Sequence, residues 1–253
     1  MQIGYLKAFT DNYIWFIQHE QDFIVIDPGS SGIVLDYIIP RELNLRAIIL
    51  THDHHDHMGG VADLLMYAKH IPVYGIGDIA TYELHGGESI AICPWLTATT
   101  LATPGHTYTS ICYMIDLMGQ KHLFCGDTLF AAGCGRVFTG DFVAMYNSLN
   151  ALSSLSPQFL VYPGHEYTIK NLQFAQFLEP DNRHILHRIK QEQEKLERLG
   201  NSLPVSMEIE LLTNPFLRTQ DRAIIDSVSR ISGVEIQSGL DCFIKLRELR
   251  NNF

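Results

Sequence analysis

The sequence predicts a layered α/β domain followed by a smaller α-helical one. Two observations carry this reading. The first two-thirds of the chain alternates apolar runs of strand length with short helical segments, and after about residue 170 the pattern turns charge-rich and helical. A division into 1–170 and 171–253 follows. No apolar run approaches the ~20 residues that span a bilayer. Met1-Gln2-Ile3-Gly4-Tyr5 lacks the basic and long apolar stretches of a signal peptide. A cytoplasmic protein with no membrane contact is expected.

Taken in order, Asn12–Ile17 and Phe23–Ile26 read as strands, the second closed by Asp27-Pro28-Gly29. Ser30-Ser31-Gly32 opens a helix over Ile33, Val34, Tyr37 and Ile38. Ala47–Leu50 is a short buried strand running straight into a histidine cluster, after which Gly59-Gly60 turns the chain into a helix over Val61–Lys69. Ile111–Ile115, His122–Cys125 and Phe159–Tyr162 are further strands. Phe142, Met145, Tyr146, Leu149 and Leu152 recur at helical spacing behind Asp141, an N-cap, with Pro157 beyond the end. In the last third, Asp181–Leu199 is a helix closed by Gly200. Thr219 is expected to cap a helix through Ala223, Ile224, Val228 and Ile231 that stops at Gly233. Ser238 is expected to cap a final one through Phe243, Leu246 and Leu249.

Composition narrows the function classes. Hydrophobic content of 46% with 18% charged residues is that of an ordinary globular chain. A net charge of −10 argues against nucleic acid as a partner, because no broad basic surface is available to displace phosphate counterions. An anionic substrate would therefore need positive charge concentrated locally. Cys93, Cys112, Cys125, Cys134 and Cys242 are odd in number and never form C-x-x-C, which argues against a disulfide framework or zinc-thiolate site and leaves most of them as small buried side chains.

The histidine cluster carries the chemistry. His52, His54, Asp56 and His57 offer four ligands within six residues of a strand end. Two histidines one residue apart in extended chain point the same way and can grip one ion, whereas Asp56 and His57 lie further round the turn and can face a second. Imidazole with carboxylate suits zinc, iron or manganese rather than calcium or magnesium. The absence of thiolate marks a catalytic rather than a structural site. Alone, the segment also admits a His-rich surface loop of incidental metal affinity, the lesser of the two readings. The rest of the chain weighs against that: Thr103-Pro104-Gly105-His106, Phe124-Cys125-Gly126-Asp127 and Val161-Tyr162-Pro163-Gly164-His165 each set one ligand beside a glycine. Two of the three directly follow a strand.

T-H-x-H-x-D-H followed by a single His, Asp and His resembles the metallo-β-lactamase superfamily. The resemblance implies an αββα sandwich, two mixed sheets face to face with helices outside and metals at one edge. It assigns His52, His54 and His106 to a first metal and Asp56, His57 and His165 to a second, with Asp127 bridging. Asp56 and Asp127 are then the catalytic carboxylates, and a metal-bridged hydroxide the nucleophile. Asp53 and His55 fall outside the ligand pattern. They read either as exposed or as standing behind the ligands, the second reading suiting Asp53 better than His55.

Longer stretches are similar to the glyoxalase II (hydroxyacylglutathione hydrolase) family: Asp11–Trp15, Gly126–Arg136, Gly164–Leu172, Asn214–Arg218 and Leu246–Phe253. The similarity spans the chain, including the helical C-terminal domain. It implies hydrolysis of a glutathione thioester, typically S-D-lactoylglutathione, to D-lactate and glutathione, the second step of methylglyoxal detoxification. It further implies two divalent ions per chain, zinc expected and iron or manganese able to take the same donors. A monomer is expected. Arg136, Tyr167, Arg247 and Arg250 become the glutathione-binding residues. The chain departs from the family at Phe138, where a tyrosine often helps bind glutathione, and at Thr109-Ser110, where Gly-His is frequent. His184 and His187 form an H-x-x-H pair with no third ligand and read as surface or packing residues. The alternatives are a mononuclear iron persulfide dioxygenase or a broader metallo-hydrolase on the same fold.

Overall fold

The computed structural model describes residues 1–253. β1 (Gln2–Ala8), β2 (Asn12–His19), β3 (Asp22–Ile26), β4 (Asn44–Ile49), β5 (Val73–Gly75) and β6 (Tyr82–Glu83) form one sheet in that order. β7 (Ser89–Cys93), β8 (Leu96–Ala102), β9 (Ile111–Leu117) and β10 (Gln120–Gly126) follow, then a small hairpin of β11 (Leu129–Phe130) and β12 (Gly133–Cys134), then β13 (Leu160–Pro163) and β14 (Val205–Ser206). The second sheet runs β14-β13-β10-β9-β8-β7.

β2 reads as an unbroken apolar run because both its faces are buried. Tyr13, Trp15 and Ile17 enter the larger core between the sheets, where Trp15 meets Tyr162 edge-on at 5.0 Å. Ile14 and Phe16 face a smaller core covered by α1 (Ser31–Ile38) and α3 (Val61–Tyr67), which follows the single-turn α2 (His55–Met58). On the other side, α4 (Phe142–Ser153) contributes Met145, Leu149 and Leu152 to the larger core. The expected αββα sandwich is the observed fold. Asp141 caps α4 by accepting from the Ala144 amide.

The C-terminal segment comprises α5 (Thr168–Leu178), α6 (Arg183–Leu199), α7 (Met207–Thr213), α8 (Arg222–Ser232) and α9 (Gly239–Asn251). Gly200 and Gly233 close α6 and α8 in left-handed conformations at φ 74° and 70°, and Ser238 caps α9. One expectation needs correction: Asp221, not Thr219, precedes α8. Arg218 donates to Asp221 at 2.8 Å and to Glu179 at 2.5 Å, so residues 218–221 are held in a turn and Thr219 is buried. β14 pairs antiparallel with β13, so the C-terminal segment also supplies the edge of the second sheet. α6 and α7 are joined by a buried ion pair, Arg188 with Glu210. Glu210 Oε2 accepts from the Ala132 amide at 2.8 Å and from Asn214 Nδ2 at 2.9 Å, tying the helices to the β11–β12 turn. Breaking such a pair by removing one partner typically costs about 3–5 kcal/mol. No helix is long and apolar enough to cross a membrane.

Candidate metal centre

Two parallel strand pairs bring the distant motifs together. β3 and β4 run side by side and end at Asp27 and Thr51, with the Asp27 amide donating to the Ile49 carbonyl at 2.9 Å. β10 and β13 do the same in the other sheet, ending at Asp127 and His165, with Gly164 N–H bonded to Gly126 O at 2.9 Å. Carboxyl ends of parallel strands are where open α/β folds gather ligands. The loop between β8 and β9, closed by Thr103 N–H on Ser110 O, delivers His106. Glycine is required at the crowded joints. A Cβ on Gly164 would stand 2.6 Å from both Asp127 Oδ1 and His57 Cε1, and Gly126 adopts φ +47° against Thr51.

The seven expected ligands converge. His52, His54 and His106 present one donor atom each within 4.8 Å of one another, and so do Asp56, His57 and His165. Asp127 stands between the groups, with Oδ1 3.3 Å from His57 Nε2 and Oδ2 3.3 Å from His165 Nε2 and 3.5 Å from His106 Nε2. His106 Nε2 lies 3.0 Å from His54 Nδ1, and His57 Nε2 lies 3.3 Å from His165 Nε2. A tetrahedral ion with bonds of 2.0–2.1 Å separates its ligands by about 3.3 Å, so the spacing suits a shared ion.

Behind these donors, the opposite ring nitrogens are held. His57 Nδ1 lies 3.1 Å from Asp27 Oδ2, His165 Nδ1 2.8 Å from Asp11 Oδ1, and His106 Nδ1 2.8 Å from the Arg136 carbonyl. Asp27 is itself fixed by the Thr51 amide and hydroxyl at 2.8 and 2.6 Å. Each contact points Nε2 at the centre. Asp53 and His55 do not take part. Both are exposed, Asp53 makes no hydrogen bond, and the expectation that it stands behind the ligands is corrected to Asp11 and Asp27. The physical reason is geometric: Asp53 alternates with His52 and His54 along extended chain and so points the opposite way.

Two buried atoms, His52 Nε2 and Asp127 Oδ1, have no hydrogen-bond partner, an arrangement that metal ligation satisfies. Burial, reinforced by His57, pushes His52 well below the usual imidazole range, leaving it a neutral donor. Burial alone would raise Asp127, but His57, His165 and His52 outweigh it and hold the carboxyl well below the carboxylate range. The hydrogen bond from His165 holds Asp56 low, against burial and with help from Asn12. Burial opposes protonation of His165, yet Asp127, Asp56 and Asp11 lift it to about 11. A proton and a metal compete for that lone pair, so the centre calls for positive charge and the donor set fits divalent ions.

The centre opens into a cleft of about 740 Å³. Arg136, Lys170, Arg247 and Arg250 line its other side, and none forms an ion pair. Burial and the nearby Arg247 and Arg136 lower the Arg250 pKa, the signature of concentrated positive charge without a partner. Arg250 rests on Asn171 Oδ1 at 3.2 Å. Arg247 is 5% exposed and already engaged: it donates to Cys134 O at 2.9 Å and to Asn251 at 2.6 Å. Tyr167 stacks on His165 at 4.9 Å, and exposed Phe138 stands edge-on to His54 and His106 at 5.6 and 5.3 Å. Sequence reasoning missed Asn12, Lys170 and Asn171 as well as Asp11 and Asp27. Asp27 had a signal, a carboxylate ending the strand beside β4.

Comparison with known proteins agrees with this geometry. A family model described as metallo-beta-lactamase superfamily matches residues 9–165, and one described as hydroxyacylglutathione hydrolase C-terminus matches 166–253. A hydroxyacylglutathione hydrolase of Nitrosomonas eutropha is 42% identical over 98% of this chain and 97% of its own. One from Neisseria meningitidis is 41% identical over the full length of both. Among solved structures, ETHE1 from Myxococcus xanthus superposes with a TM-score of 0.67 over 98% of this chain and 91% of its own, at 24% identity, a likeness of fold. TTHA1623, solved in a di-iron-bound form, is 26% identical with a TM-score of 0.53 over 63% of this chain and 90% of its own.

Proposed function

The chain belongs to the hydroxyacylglutathione hydrolases of the metallo-β-lactamase superfamily, and on that premise we propose that it hydrolyses S-(2-hydroxyacyl)glutathione thioesters. S-D-lactoylglutathione is the substrate in view, giving D-lactate and glutathione as the second step of methylglyoxal detoxification. One observation carries the reading: donors for two ions and an unpaired basic wall line the same cleft.

We assign His52, His54 and His106 to one ion, Asp56, His57 and His165 to the other, and Asp127 to both. Divalent ions held by these residues would supply hydroxide at neutral pH, by lowering the pKa of water to about 7, and positive charge for a carbonyl oxygen. The remaining work falls to the chain. Arg136 and Arg250, with Lys170 beside them, receive the glutathione carboxylates. Tyr167, held by stacking on His165 and Phe130, offers its hydroxyl to the peptide. These contacts fix the thioester carbonyl over the centre. Arg247 acts through the loop, holding the Cys134 carbonyl two residues before Arg136. Phe138 gives an apolar wall where a tyrosine would give a hydrogen bond. The departing thiolate is a stable anion and needs little acid assistance.

Residues 1–170 thus supply the ion donors, and 171–253 supply Arg247 and Arg250. Zinc is the ion proposed, and the di-iron neighbour supports iron as the second choice. The donors and the basic wall all come from one chain, and a monomer is the state proposed. Five free cysteines suit the reducing cytoplasm. The test is S-D-lactoylglutathione hydrolysis by protein whose metals are quantified, with oxygen consumption followed in parallel. Turnover with two ions per chain and no oxygen uptake is expected. Oxygen uptake with one iron would replace the hydrolase by the dioxygenase alternative.

A further inference from the structure

Asp11, Asn12 and Tyr13, at the mouth of β2, make contacts that the proposed chemistry does not use. Asp11 Oδ1 accepts from His165 Nδ1 at 2.8 Å. Asn12, 6% exposed, donates through Nδ2 to Asp56 Oδ2 at 2.8 Å. Its backbone forms a β-bridge with His165. Tyr13 N–H donates to Gly164 O at 2.8 Å, and the Tyr13 hydroxyl donates to Glu166 Oε2 at 2.7 Å. Three consecutive residues, Asp11 in the turn before β2 and Asn12 and Tyr13 at its start, therefore grip the two ligand-bearing segments of the second ion position, 56 and 164–166. The first position takes its outer contacts from elsewhere and none from residues 11–13. His52 rests on Thr51, and His106 on the Arg136 carbonyl.

We propose that Asp11-Asn12 is a positioning clamp that sets the affinity of the second metal position independently of the first. The inference rests on the ligand assignment above. The two side chains act in complementary senses. Asp11 holds the His165 tautomer that turns Nε2 inward and makes that nitrogen a better donor, while Asn12 fixes the Asp56 carboxylate rotamer through an N–H that a carboxylate must accept. Losing such an outer contact typically weakens metal affinity about 10–100-fold.

The experiment is a stepwise titration of metal-free protein with cobalt(II), read by ligand-field absorbance and calorimetry, for wild type, Asp11→Ala, Asp11→Asn and Asn12→Ala. Wild type is expected to take two equivalents. In Asp11→Ala and Asn12→Ala the second equivalent should bind about 10–100-fold more weakly, with the first unchanged. Asp11→Asn retains an acceptor for Nδ1–H and should recover part of the loss. The Asp11 side chain is 33% exposed in a turn, so its variants stay folded even if Asn12→Ala does not. Equal weakening of both steps, or of neither, overturns the clamp. A wild type that binds only one cobalt overturns the binuclear reading beneath it.

Discussion

The metal cluster and the basic wall face each other across one cleft but are held in different ways. The cluster sits at the ends of paired strands, where β-ladder bonds fix the backbone and Asp27, Asp11 and the Arg136 carbonyl fix the rings. The wall depends on helix α9 and the β11–β12 turn, which Glu210, Asn214, Asn171 and Arg247 brace with hydrogen bonds from the C-terminal segment. The difference separates chemistry from recognition. On the proposed assignment, the groups that would act on the reacting atoms stand at the ends of paired strands, and the groups that would hold the remote part of the substrate stand on a support assembled from several helices.

The largest effect expected is on the strand-end side. Asp127→Ala removes the carboxylate assigned to both ion positions, which lies 3.3 Å from both His57 Nε2 and His165 Nε2. Activity should fall by at least about 10³-fold in kcat, about 4 kcal/mol of barrier, with bound metal dropping below two per chain. KM should change little beside it. Near-normal kcat with full metal content would sink the bridging role.

A smaller effect on the other side sharpens the contrast. Arg250→Ala should raise KM about tenfold with kcat kept within a few-fold, because the contact is present equally in ground and transition states. Metal content should not move. Arg247→Ala should differ from it in kind. Its guanidinium is buried over Phe216 at 5.1 Å and engaged with the Cys134 carbonyl, so the variant should lose thermal stability as well as substrate affinity. A large kcat loss with unchanged KM in Arg250→Ala would contradict the division between chemistry and recognition.

The same contrast explains what was legible in the sequence. The ligands could be read because each stands beside a glycine or inside one dense motif at the end of an apolar strand, a local arrangement. Strands of both sheets could be read from β2, β3, β4, β9, β10 and β13, each of which carries a continuous, largely apolar run of four to six residues. β5, β6, β11 and β12 are two or three residues each and leave no period to detect. β14 is hidden in a helical stretch because its pairing with β13 is a tertiary fact. Asp53 misled because proximity in sequence to the ligands is not proximity in space, whereas Asp11, some 45 residues earlier, is in contact with His165. The role of Arg247 was half legible. Its spacing from Arg250 placed both on one helix face, but only the packed structure shows one guanidinium committed to a carbonyl and the other resting on a side-chain amide.

The smallest effect tests whether the wall resolves the problem set by a chain of net charge −10. If an anionic substrate is received mainly by Arg136, Lys170 and Arg250, attraction at the cleft opposes the field of the rest of the surface and is screened by salt. The Debye length falls from about 30 Å at 0.01 M to about 3 Å at 1 M ionic strength, so KM should rise about threefold across that range while kcat and metal content hold. The Arg136→Ala, Arg250→Ala double variant should show a higher KM at every salt concentration and a flatter dependence, since fewer charges remain to be screened. A slope as steep as in wild type would move the attraction onto Lys170 or to charge outside the cleft. A KM that falls with salt would mean that the net negative charge dominates substrate approach, and that the wall acts only after contact.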